Sequence, residues 1–465
     1  MKGMRALLLS SLNPVLPSTC MPCAISCTPT TLSIKSPCEP SSALDFTLSD
    51  YSSLAVIALG KAGSAMAAAF PTDVKQATLP TSSFVITKTD HCTPSELQTI
   101  SSSFTRHTIH QVSHPVPTSS CVTATESLLS HISSLPPNSL IIALLSGGTS
   151  SLLTLPRPPL TLSHVAHLTQ ILLQTGVDIA KVNRVRSRVD VVKGGGLAKH
   201  ILKEQGGNTM VTLVLSDVVG DDLNAIGSGP TYFGEGGEEE DDGVMELVTG
   251  MLEGELGEAL KIALDEPRVA TKPTRGGVAG YHRPILIANN GLAIGHLKQH
   301  IEEGGGRANI VSNGDMAGEA ATKAREVVDM VALAEPGTHL LWGGETTVTF
   351  SGAPPEGGWG VGGRNQELAL CAAIELKRRG LDACIGVFGT DGTDGPCDAA
   401  GAVVDGGTCD RIFDAKGGAG GDALTFAQGF LTRHDSYGFF EGQEEHIKCG
   451  ATGTNVADVV IAMRS

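Results

Sequence analysis

WGGETTVTF at residues 342–350 and GGRNQELAL at residues 362–370 are the stretches that decide the fold. Each combines glycines with an apolar segment, and together they place Glu345 and Arg364 beside the glycine turns. Glycines let a bound anion approach the backbone closely, and arginine supplies a fixed positive charge. The pattern therefore indicates a two-lobed α/β fold with an anion-binding site at its strand ends.

Four other segments share this design, in which an apolar run of strand length leads into glycines and then polar residues. They are VIALGKAGSAM at residues 56–66, IIALLSGGTSSLL at 141–153, VTLVLSDVVGDDLNAIGSGPT at 211–231 and IGVFGTDGTDGPCDAAGAVVD at 385–405. Functional residues in open α/β sheets collect at the carboxyl ends of the strands. We therefore expect these loops and the first one to contribute to a single active site.

The length of 465 residues exceeds what one hydrophobic core usually supports, so two domains are expected. Apolar runs alternate with helical patterns over residues 55–225, which predicts a Rossmann-like parallel sheet covered by helices. A second βα series begins at PILIANN, residues 284–290. We predict an N-terminal domain at residues 1–245, a connecting helix and linker at 246–283, and a smaller α/β domain at 284–465, with a cleft between the two lobes. The acidic stretch at 234–243 reads as a surface loop.

The formal net charge of −16 argues against a nucleic-acid or anionic-membrane surface, because both require a basic footprint. No stretch reaches the roughly 18 uninterrupted apolar residues that a membrane helix needs. An acidic protein that handles anions must concentrate its cations locally. This draws attention to three cations in glycine-rich loops, Lys61, Lys193 and Arg364.

The eleven cysteines are scattered along the chain, which favours a reducing compartment. Cys20 and Cys23 form a CxxC that allows a zinc or redox site, although free thiols fit its context better. The first 38 residues lack Asp and Glu, as transit peptides do, but they also contain a helical pattern that ends at a proline. We favour a cytoplasmic location, with an organelle as the alternative.

Glycine-rich loops carry the candidate anion ligands. Lys61 follows an apolar strand and precedes a helix of small residues, where backbone amides and an ammonium would attract an anion. A surface lysine at a strand end is the alternative for Lys61, and a helix end is the alternative for Lys193. The other candidates are the amides and hydroxyls of Ser146, Gly147, Gly148, Thr149, Ser150, Gly194 and Gly195.

Carboxylates follow two of the apolar strands. We select Asp217, directly after VTLVL, as a base towards a substrate hydroxyl or as a metal ligand, and we expect Asp221 to cap a helix. Asp391 and Asp394 lie three residues apart among glycines. They fit Mg²⁺ bound jointly with nucleotide phosphates, and Asx turns are the alternative.

Arg364 stands at the start of a helix, where a positive charge opposes the helix dipole and so needs another reason. Its planar fork suits a carboxylate or a phosphoryl group. Asn365 and Glu345 are candidate substrate or phosphate ligands, and Glu345 could orient a cation or a metal-bound water. Capping of the helix by Asn365 and Glu367 is the structural alternative. The polar segment TGTN, expected to border the site before a short apolar helix, offers Thr452, Thr454 and Asn455.

These segments, together with HPVP at residues 114–117, KGGGLA at 193–198 and TGTN at 452–455, resemble the glycerate 2-kinases of the MOFRL family over residues 50–465. The resemblance implies transfer of a phosphoryl group from ATP to the 2-hydroxyl of D-glycerate, giving 2-phosphoglycerate and ADP with Mg²⁺. In this context Lys61, Asp217 and Arg364 are the expected catalytic residues, and Lys193 is expected to contact phosphate. D-Glycerate and ATP are the expected partners, and a homodimer is compatible with the sequence.

The chain departs from the family at Thr149, where relatives more often have a third glycine. A β-branched residue would be strained if the loop needed positive φ there. This departure, with ANN at 288–290 in place of a GSN-like turn, keeps open a catalytically inactive sugar-acid-binding protein. A nicotinamide-dependent hydroxypyruvate reductase is the other alternative, but no strand leads into the GxGxxG that a dinucleotide fold requires. His114 in HPVP is interpreted as a packed histidine.

Overall fold

The computed structural model describes residues 1–39, 43–77, 79–174, 179–203, 207–233, 250, 254–265, 279–355, 358–418 and 421–465. The chain forms two compact units. The parallel-sheet unit is Cys20–Ile287, and the mixed-sheet unit is Met1–Thr19 with Ala288–Ser465. The acidic stretch at 234–243 and parts of the predicted connecting segment at 246–283 lie outside the described residues.

Fifteen strands and sixteen helices are used below. The strands are β1 (Ile25–Cys27), β2 (Thr31–Lys35), β3 (Ala43–Thr47), β4 (Leu54–Leu59), β5 (Thr81–Lys88), β6 (Arg106–Val112), β7 (Leu140–Leu145), β8 (Thr209–Leu215), β9 (Ile285–Ala288), β10 (Arg307–Glu319), β11 (Thr338–Thr347), β12 (Ala383–Gly389), β13 (Gly401–Asp405), β14 (His446–Ile447) and β15 (Asp458–Arg464). The helices are α1 (Lys2–Ser10), α2 (Pro17–Ala24), α3 (Gly63–Ala68), α4 (Pro94–Ser103), α5 (Ser119–Ser133), α6 (Thr149–Leu152), α7 (Leu162–Gln174), α8 (Ile179–Arg188), α9 (Gly196–Lys203), α10 (Gly254–Asp265), α11 (Asn290–Glu303), α12 (Ala320–Leu333), α13 (Arg364–Arg379), α14 (Thr408–Ala415), α15 (Ala423–Thr432) and α16 (Ser436–Phe440).

The parallel-sheet unit is built on a six-stranded sheet with the order β6-β5-β4-β7-β8-β9. β4 pairs in parallel with β5 and β7, and β7 pairs in parallel with β8. Every residue of β4 and β7 is buried, as expected for strands covered by helices on both faces. The predicted parallel sheet is therefore confirmed. A separate antiparallel sheet, β1-β2-β3, was not predicted.

The segment PILIANN does not begin the second sheet, as the sequence analysis expected. Its strand β9 is the edge strand of the parallel sheet, next to β8. Ile285 and Ile287 are buried there, and the partly buried Leu286 packs on the core of this unit. The apolar run is short and carries no signal of which sheet it completes, so its assignment to the C-terminal series was wrong.

The mixed-sheet unit has a six-stranded sheet with the order β10-β11-β15-β12-β13-β14. β10 and β11 are parallel, whereas β15 runs antiparallel to both β11 and β12. The segment after TGTN was predicted to be a short apolar helix, and this was wrong, because it forms β15. The run DVVIAMR is rich in β-branched residues, and its first five residues are buried on both faces of the sheet.

The first helix belongs to the mixed-sheet unit and not to the N-terminal domain in which the sequence analysis placed it. Met4 and Leu8 are buried in one apolar cluster with Phe388 and Ile461. The Arg5 side chain donates a 2.7 Å hydrogen bond to the backbone oxygen of His446. The helical pattern at the start of the sequence therefore corresponds to α1, and the apolar face of α1 completes this core.

The α/β fold class predicted from the sequence is confirmed, with a parallel six-stranded sheet and a second, mixed sheet. In the described ranges, no helix combines the length and the apolar character needed to cross a bilayer.

Candidate active site

Three candidate residues follow neighbouring strands at one edge of the parallel sheet. In the sheet register, Leu59 of β4 lies beside Leu145 of β7, and Leu145 lies beside Val214 of β8. Because the strands are parallel, the loops that follow them emerge at the same edge. Lys61, the SGGTS loop at 146–150 and Asp217 are therefore neighbours along this edge, as the sequence predicted.

The loop after β7 is locked onto the loop after β4. The Lys61 amide donates to the Gly147 carbonyl oxygen over 2.8 Å, and the Ala62 amide donates to the Ser146 hydroxyl oxygen over 3.0 Å. Gly60 has φ of +115°, and a Cβ added there would lie 2.3 Å from the Ser146 Oγ, so only glycine fits. Ser146 is fully buried, which makes its hydroxyl a structural link between the loops and leaves it no surface for an incoming phosphate.

Thr149 is compatible with the geometry of the SGGTS loop. The positive φ of +84° falls on Gly148, and Thr149 is the first residue of α6. Its hydroxyl donates a 2.7 Å hydrogen bond to the Ser146 carbonyl oxygen. The strain that the sequence analysis considered at this position is absent, and Ser150 follows, half-buried, in the same short helix.

His114 lies at this edge, although the sequence analysis interpreted it as a packed histidine without a role. A Cβ added to Gly148 would be 3.0 Å from the His114 Nε2 and 3.1 Å from the Lys61 Cγ. The imidazole, the lysine stem and the glycine of the SGGTS loop therefore come together. HPVP follows β6 by two residues, and this position after a strand of the sheet was the signal that could have identified it.

The Lys193 ammonium is held in a buried ion pair within the fold, which argues against the phosphate contact predicted for the KGGG loop. Its ammonium lies 2.7 Å from the Asp190 carboxylate and 2.8 Å from the Thr154 hydroxyl, and both charged side chains are almost completely buried. Burial lowers the pKa of Lys193, and the Asp190 charge opposes that shift. The Gly194 and Gly195 amides donate to the carbonyl oxygens of residues 228 and 229, so this loop has a structural role.

The acidic loop after β8 leaves Asp217 partly exposed at the sheet edge. Asp221 was predicted to be a helix cap, and the structure contradicts this, because it has φ of +54° within a short 3-10 turn. The cap-like contact belongs to Asp222, whose carboxylate accepts from the Asn224 amide over 3.0 Å. Adjacent aspartates in one loop are not distinguished by their spacing alone.

In the mixed-sheet unit, Arg364 is held by two carboxylates. Its Nε and Nη2 donate to the two carboxylate oxygens of Asp458 over 2.5 and 3.0 Å. Its Nη1 lies 2.8 Å from the Glu345 Oε1. Burial would lower the pKa of Arg364, but the Asp458 and Glu345 charges and the hydrogen bonds to Asp458 raise it above its ordinary value. The guanidinium is therefore permanently charged and fixed in orientation.

Asp458 is the residue of this cluster that the sequence analysis missed. It is 1% exposed at the start of β15, where its neighbours in the register are Gly344 and Gly389. The Asn365 side-chain amide donates to its Oδ1 over 3.0 Å, and the Asn290 side-chain amide donates to its backbone oxygen over 2.9 Å. A single acid at the start of an apolar run, directly after TGTN, was the available signal.

The carboxylate of Asp394 does not fit the predicted metal site. It is 3% exposed, and it accepts hydrogen bonds from the Asn365 amide over 3.1 Å and from the Gln366 amide over 2.8 Å. It therefore caps the first turn of α13 from a separate loop. Asp391 accepts from the Thr393 amide over 3.0 Å, the Asx turn that was the alternative interpretation. In the described part of the chain, no three His, Cys, Asp or Glu side chains form a metal-binding group.

The predicted capping box at the start of α13 is absent. Gly363 is the N-cap residue, and Asn365 lies inside the helix with its side chain on Asp458. Glu367 contacts the His434 imidazole, with 2.9 Å between Oε2 and Nδ1. The sequence pattern GGRNQE predicted the start of α13 correctly, but the residue that caps its first turn is Asp394.

The TGTN segment mainly connects loops within the mixed-sheet unit. The Thr452 hydroxyl donates to the Thr390 carbonyl oxygen over 2.6 Å. Thr454, 4% exposed, donates from its hydroxyl to the Val15 carbonyl oxygen over 2.7 Å. The Asn455 side-chain oxygen accepts from the Ala457 amide over 3.2 Å. The hydroxyl of Thr454 is thus occupied by the first segment of the chain, which corrects its assignment as a substrate ligand.

Comparison with known proteins places the two units in a family. The family model described as "Domain of unknown function (DUF4147)" matches residues 3–248, and the model of the MOFRL family matches residues 338–458. A glycerate 2-kinase of Pyrococcus horikoshii is 33% identical over 374 residues, which cover 76% of this chain and 77% of that protein. The chain belongs to the MOFRL family of glycerate 2-kinases.

Two further relatives agree with this assignment to the MOFRL family. A D-glycerate 2-kinase of Thermotoga maritima is 34% identical over 364 residues, covering 76% of this chain and 79% of the relative. The crystal structure of a glycerate kinase from Thermotoga maritima superimposes with a TM-score of 0.75 at 28% identity, covering 100% of both chains. The predicted family and fold are therefore confirmed over nearly the full length.

Proposed function

We propose that this chain transfers the γ-phosphoryl group of ATP to the 2-hydroxyl of D-glycerate, giving 2-phosphoglycerate and ADP. The relatives that carry the names glycerate 2-kinase and D-glycerate 2-kinase align over 76% of the chain. This chain has glycine loops and charged residues at strand ends of the kind that phosphoryl transfer needs, because positioning and charge neutralisation supply most of its catalysis.

The proposal rests on the exposure of Arg364 and on the contacts of its guanidinium group. Its side chain is 34% exposed, whereas the Asp458 carboxylate behind it is 1% exposed. One edge of the guanidinium is thus held from inside the fold, and the edge with Nη1 is partly exposed and meets only the half-exposed carboxylate of Glu345 among its two ion-pair partners. A planar fork in this arrangement binds a carboxylate or a phosphoryl group with two parallel hydrogen bonds. In the proposal Arg364 neutralises one of these anions in the mixed-sheet unit.

In the parallel-sheet unit the proposal assigns phosphate binding to Lys61 and the SGGTS loop. Gly148 has φ of +84° and is only partly buried, so its backbone offers a concave surface to an anion. The lysine stem lies close to this glycine, because a Cβ added to Gly148 would be 3.1 Å from the Lys61 Cγ. The KGGG loop is left out of this role, because its glycine amides are used within the fold.

Asp217 is proposed as the general base. The 2-hydroxyl oxygen of glycerate forms the new bond to the γ-phosphorus, the bond to the β–γ bridging oxygen breaks, and the hydroxyl proton passes to the Asp217 carboxylate. Asp217 is partly exposed and follows the strand next to β7, so it shares the edge with Lys61. Mg²⁺ enters as part of the MgATP substrate, since Asp394 is occupied as a helix cap and no step depends on a metal that the protein holds.

The test is ³¹P NMR of the purified protein with MgATP and D-glycerate, with Lys61→Ala and Arg364→Ala as variant controls. The proposal is supported if the wild type forms a phosphomonoester on C2 and neither variant forms it. A phosphomonoester on C3 would keep the kinase and refute the regiochemistry. If the kinase assay gives no product and the protein oxidises NADH in the presence of hydroxypyruvate, the proposed kinase would be refuted in favour of a reductase. No activity in either assay would favour a binding protein.

We also propose a cytoplasmic location, supported by eleven cysteines that are all free thiols in the structure. A reducing compartment keeps such thiols unpaired. A homodimer is proposed on the sequence compatibility alone. Light scattering on the purified protein measures its mass directly, and the value expected for one chain of 48.0 kDa would refute the dimer.

A further inference from the structure

We propose that Asp458 is the positioning residue of Arg364, and that Glu345 is the displaceable counter-ion which occupies the arginine until an anionic substrate arrives. This inference rests on the proposed function, because it concerns the arginine to which that function assigns the anion. Asp458 does not itself contact substrate in this proposal. It acts only by fixing the guanidinium.

The two carboxylates around Arg364 differ in burial. Asp458 is 1% exposed and engages Nε and Nη2 together, while Glu345 is 42% exposed and meets the guanidinium at Nη1. A two-point contact from a buried carboxylate sets both the position and the plane of the guanidinium. An ion pair with a half-exposed carboxylate is weak and competes with water. The first contact is therefore permanent, and the second can be exchanged for a substrate anion.

Asp458 is itself held rigidly. Its carboxylate also accepts from the Asn365 side chain, and its backbone oxygen accepts from the Asn290 side chain. Its backbone is fixed in the sheet between β11 and β12, opposite Gly344 and Gly389. A site works only when the groups behind it hold the ligand-binding side chain in place, and here four elements of the mixed-sheet unit do so, namely α11, α13, β11 and β12.

The geometry around Glu345 supports exchange with a substrate. Glu345 follows the two glycines of β11, and its Oε1 lies 2.8 Å from the edge of the guanidinium that Asp458 does not use. The same edge is the one that a glycerate carboxylate or a phosphoryl oxygen would need. Removal of the Glu345 carboxylate should therefore strengthen binding of the substrate anion. Removal of the Asp458 carboxylate should instead lower catalytic efficiency, because the guanidinium is no longer held in place.

The experiment compares steady-state kinetics with MgATP and D-glycerate for the wild type, Arg364→Ala, Asp458→Asn and the double variant. We expect Asp458→Asn to lose at least tenfold in kcat/KM and the double variant to be no worse than Arg364→Ala alone, since a positioning residue has nothing to position without the arginine. Glu445→Gln is the matched control, because Glu445 is 4% exposed and pairs with Arg411 in the same unit. It should lose stability and keep its kcat/KM within threefold.

Chemical rescue adds a measurement that a merely structural role would not change. Guanidinium ion at non-denaturing concentration should restore part of the activity of Arg364→Ala, because the Asp458 carboxylate offers it a binding place. It should restore none in the double variant with Asp458→Asn. Equal rescue in both variants would overturn the inference.

Two further variants keep the inference testable if Asp458→Asn fails to fold, as judged by circular dichroism. Arg364→Lys cannot hold Asp458 and an anion together, so it should lose nearly as much activity as Arg364→Ala. Glu345→Gln should lower KM for D-glycerate severalfold, and a raised KM with lowered kcat would refute its role as counter-ion. A wild type without kinase activity would refute the proposed function instead, so the two failures are distinguishable.

Discussion

The Thr149 hydroxyl donates a 2.7 Å hydrogen bond to the Ser146 carbonyl oxygen, which ties the first residue of α6 back to the end of β7. Thr149 is fully buried, and its methyl side packs against Gly227. Thr149, the residue that departs from the family pattern, therefore forms one of the hydrogen bonds that hold the loop. Its contribution to the free energy of unfolding can be measured by substitution.

Thr149→Gly is expected to lower the free energy of unfolding by about 1–2 kcal/mol, from the lost buried hydrogen bond and the greater freedom of glycine. Kinase activity should stay within threefold of the wild type, because the positive φ lies on Gly148. Urea unfolding measures the change in stability, and kcat/KM measures the change in activity. A large gain in activity on installing glycine would contradict the geometry, and Thr149→Ser should behave as the wild type in both measurements.

Lys61→Ala should reduce kcat/KM for D-glycerate by at least about 100-fold, as loss of one preorganised charge at a phosphoryl group does. The free energy of unfolding should change little, because Lys61 is only partly buried. The matched control is Lys377→Ala, which removes a lysine that pairs with Asp410 on the surface of the other unit. Equal losses in both variants would show that Lys61 has no special role.

Lys193→Met should destabilise the parallel-sheet unit by about 3–5 kcal/mol, because it leaves the Asp190 charge buried without its cation. The double variant Asp190→Asn with Lys193→Met should recover part of this loss. Urea unfolding gives both values, with the exposed Lys261→Met as control. A variant that keeps its stability and raises KM for ATP would instead restore the phosphate-binding role that the structure contradicts.

His446 should make stability depend on pH. Burial lowers its pKa to about 4, with the nearby Lys448 acting in the same direction. The unfolded chain therefore binds a proton between pH 6.5 and about 4 that the folded chain does not. Stability from this residue is complete above pH 6.5 and falls as the pH decreases, by about 1.4 kcal/mol per pH unit at most. Urea unfolding of the wild type and His446→Gln should show a slope smaller by about one proton in the variant.

Leu8→Ala should destabilise the mixed-sheet unit by about 2–5 kcal/mol, as large-to-small changes in a packed core do. Leu8 is fully buried, and a Cβ on Gly386 would lie 2.6 Å from its Cδ1. Leu97→Ala, at a leucine that is 46% exposed, is the control and should change stability by less than about 1 kcal/mol. A stability of Leu8→Ala equal to that of the wild type would mean that packing of α1 is not needed for this unit.

The sequence predicted the parallel sheet, and the grouping of three candidate segments at one edge of it, because the signals are local. A short apolar run such as LAVIAL, followed by glycine, favours a strand covered on both faces, and the glycine lets the chain turn sharply after it. The strands then bring Lys61, the SGGTS loop and Asp217 to one edge by the geometry of a parallel sheet. No contact between distant residues had to be guessed.

Predictions failed where a contact between distant parts of the chain decided the outcome. Lys193 was assigned to phosphate, yet its ammonium is held by Thr154, which lies 39 residues away, together with the neighbouring Asp190. Asp394 was assigned to metal, yet it caps a helix that begins 30 residues before it. Asp458 was overlooked because its partner Arg364 is 94 residues away. Hydrogen-bond partners that far apart leave no spacing pattern.

The position of β15 sets an order for assembly of the mixed sheet. It is the last of that sheet's strands along the chain, yet it lies in the middle, between β11 and β12. Until it arrives, β11 and β12 each present an open strand edge, the kind of surface on which other chains aggregate. Synthesis of β15, and not of the earlier strands, is therefore the event that closes this sheet, and chaperones that shield strand edges should matter most for this unit.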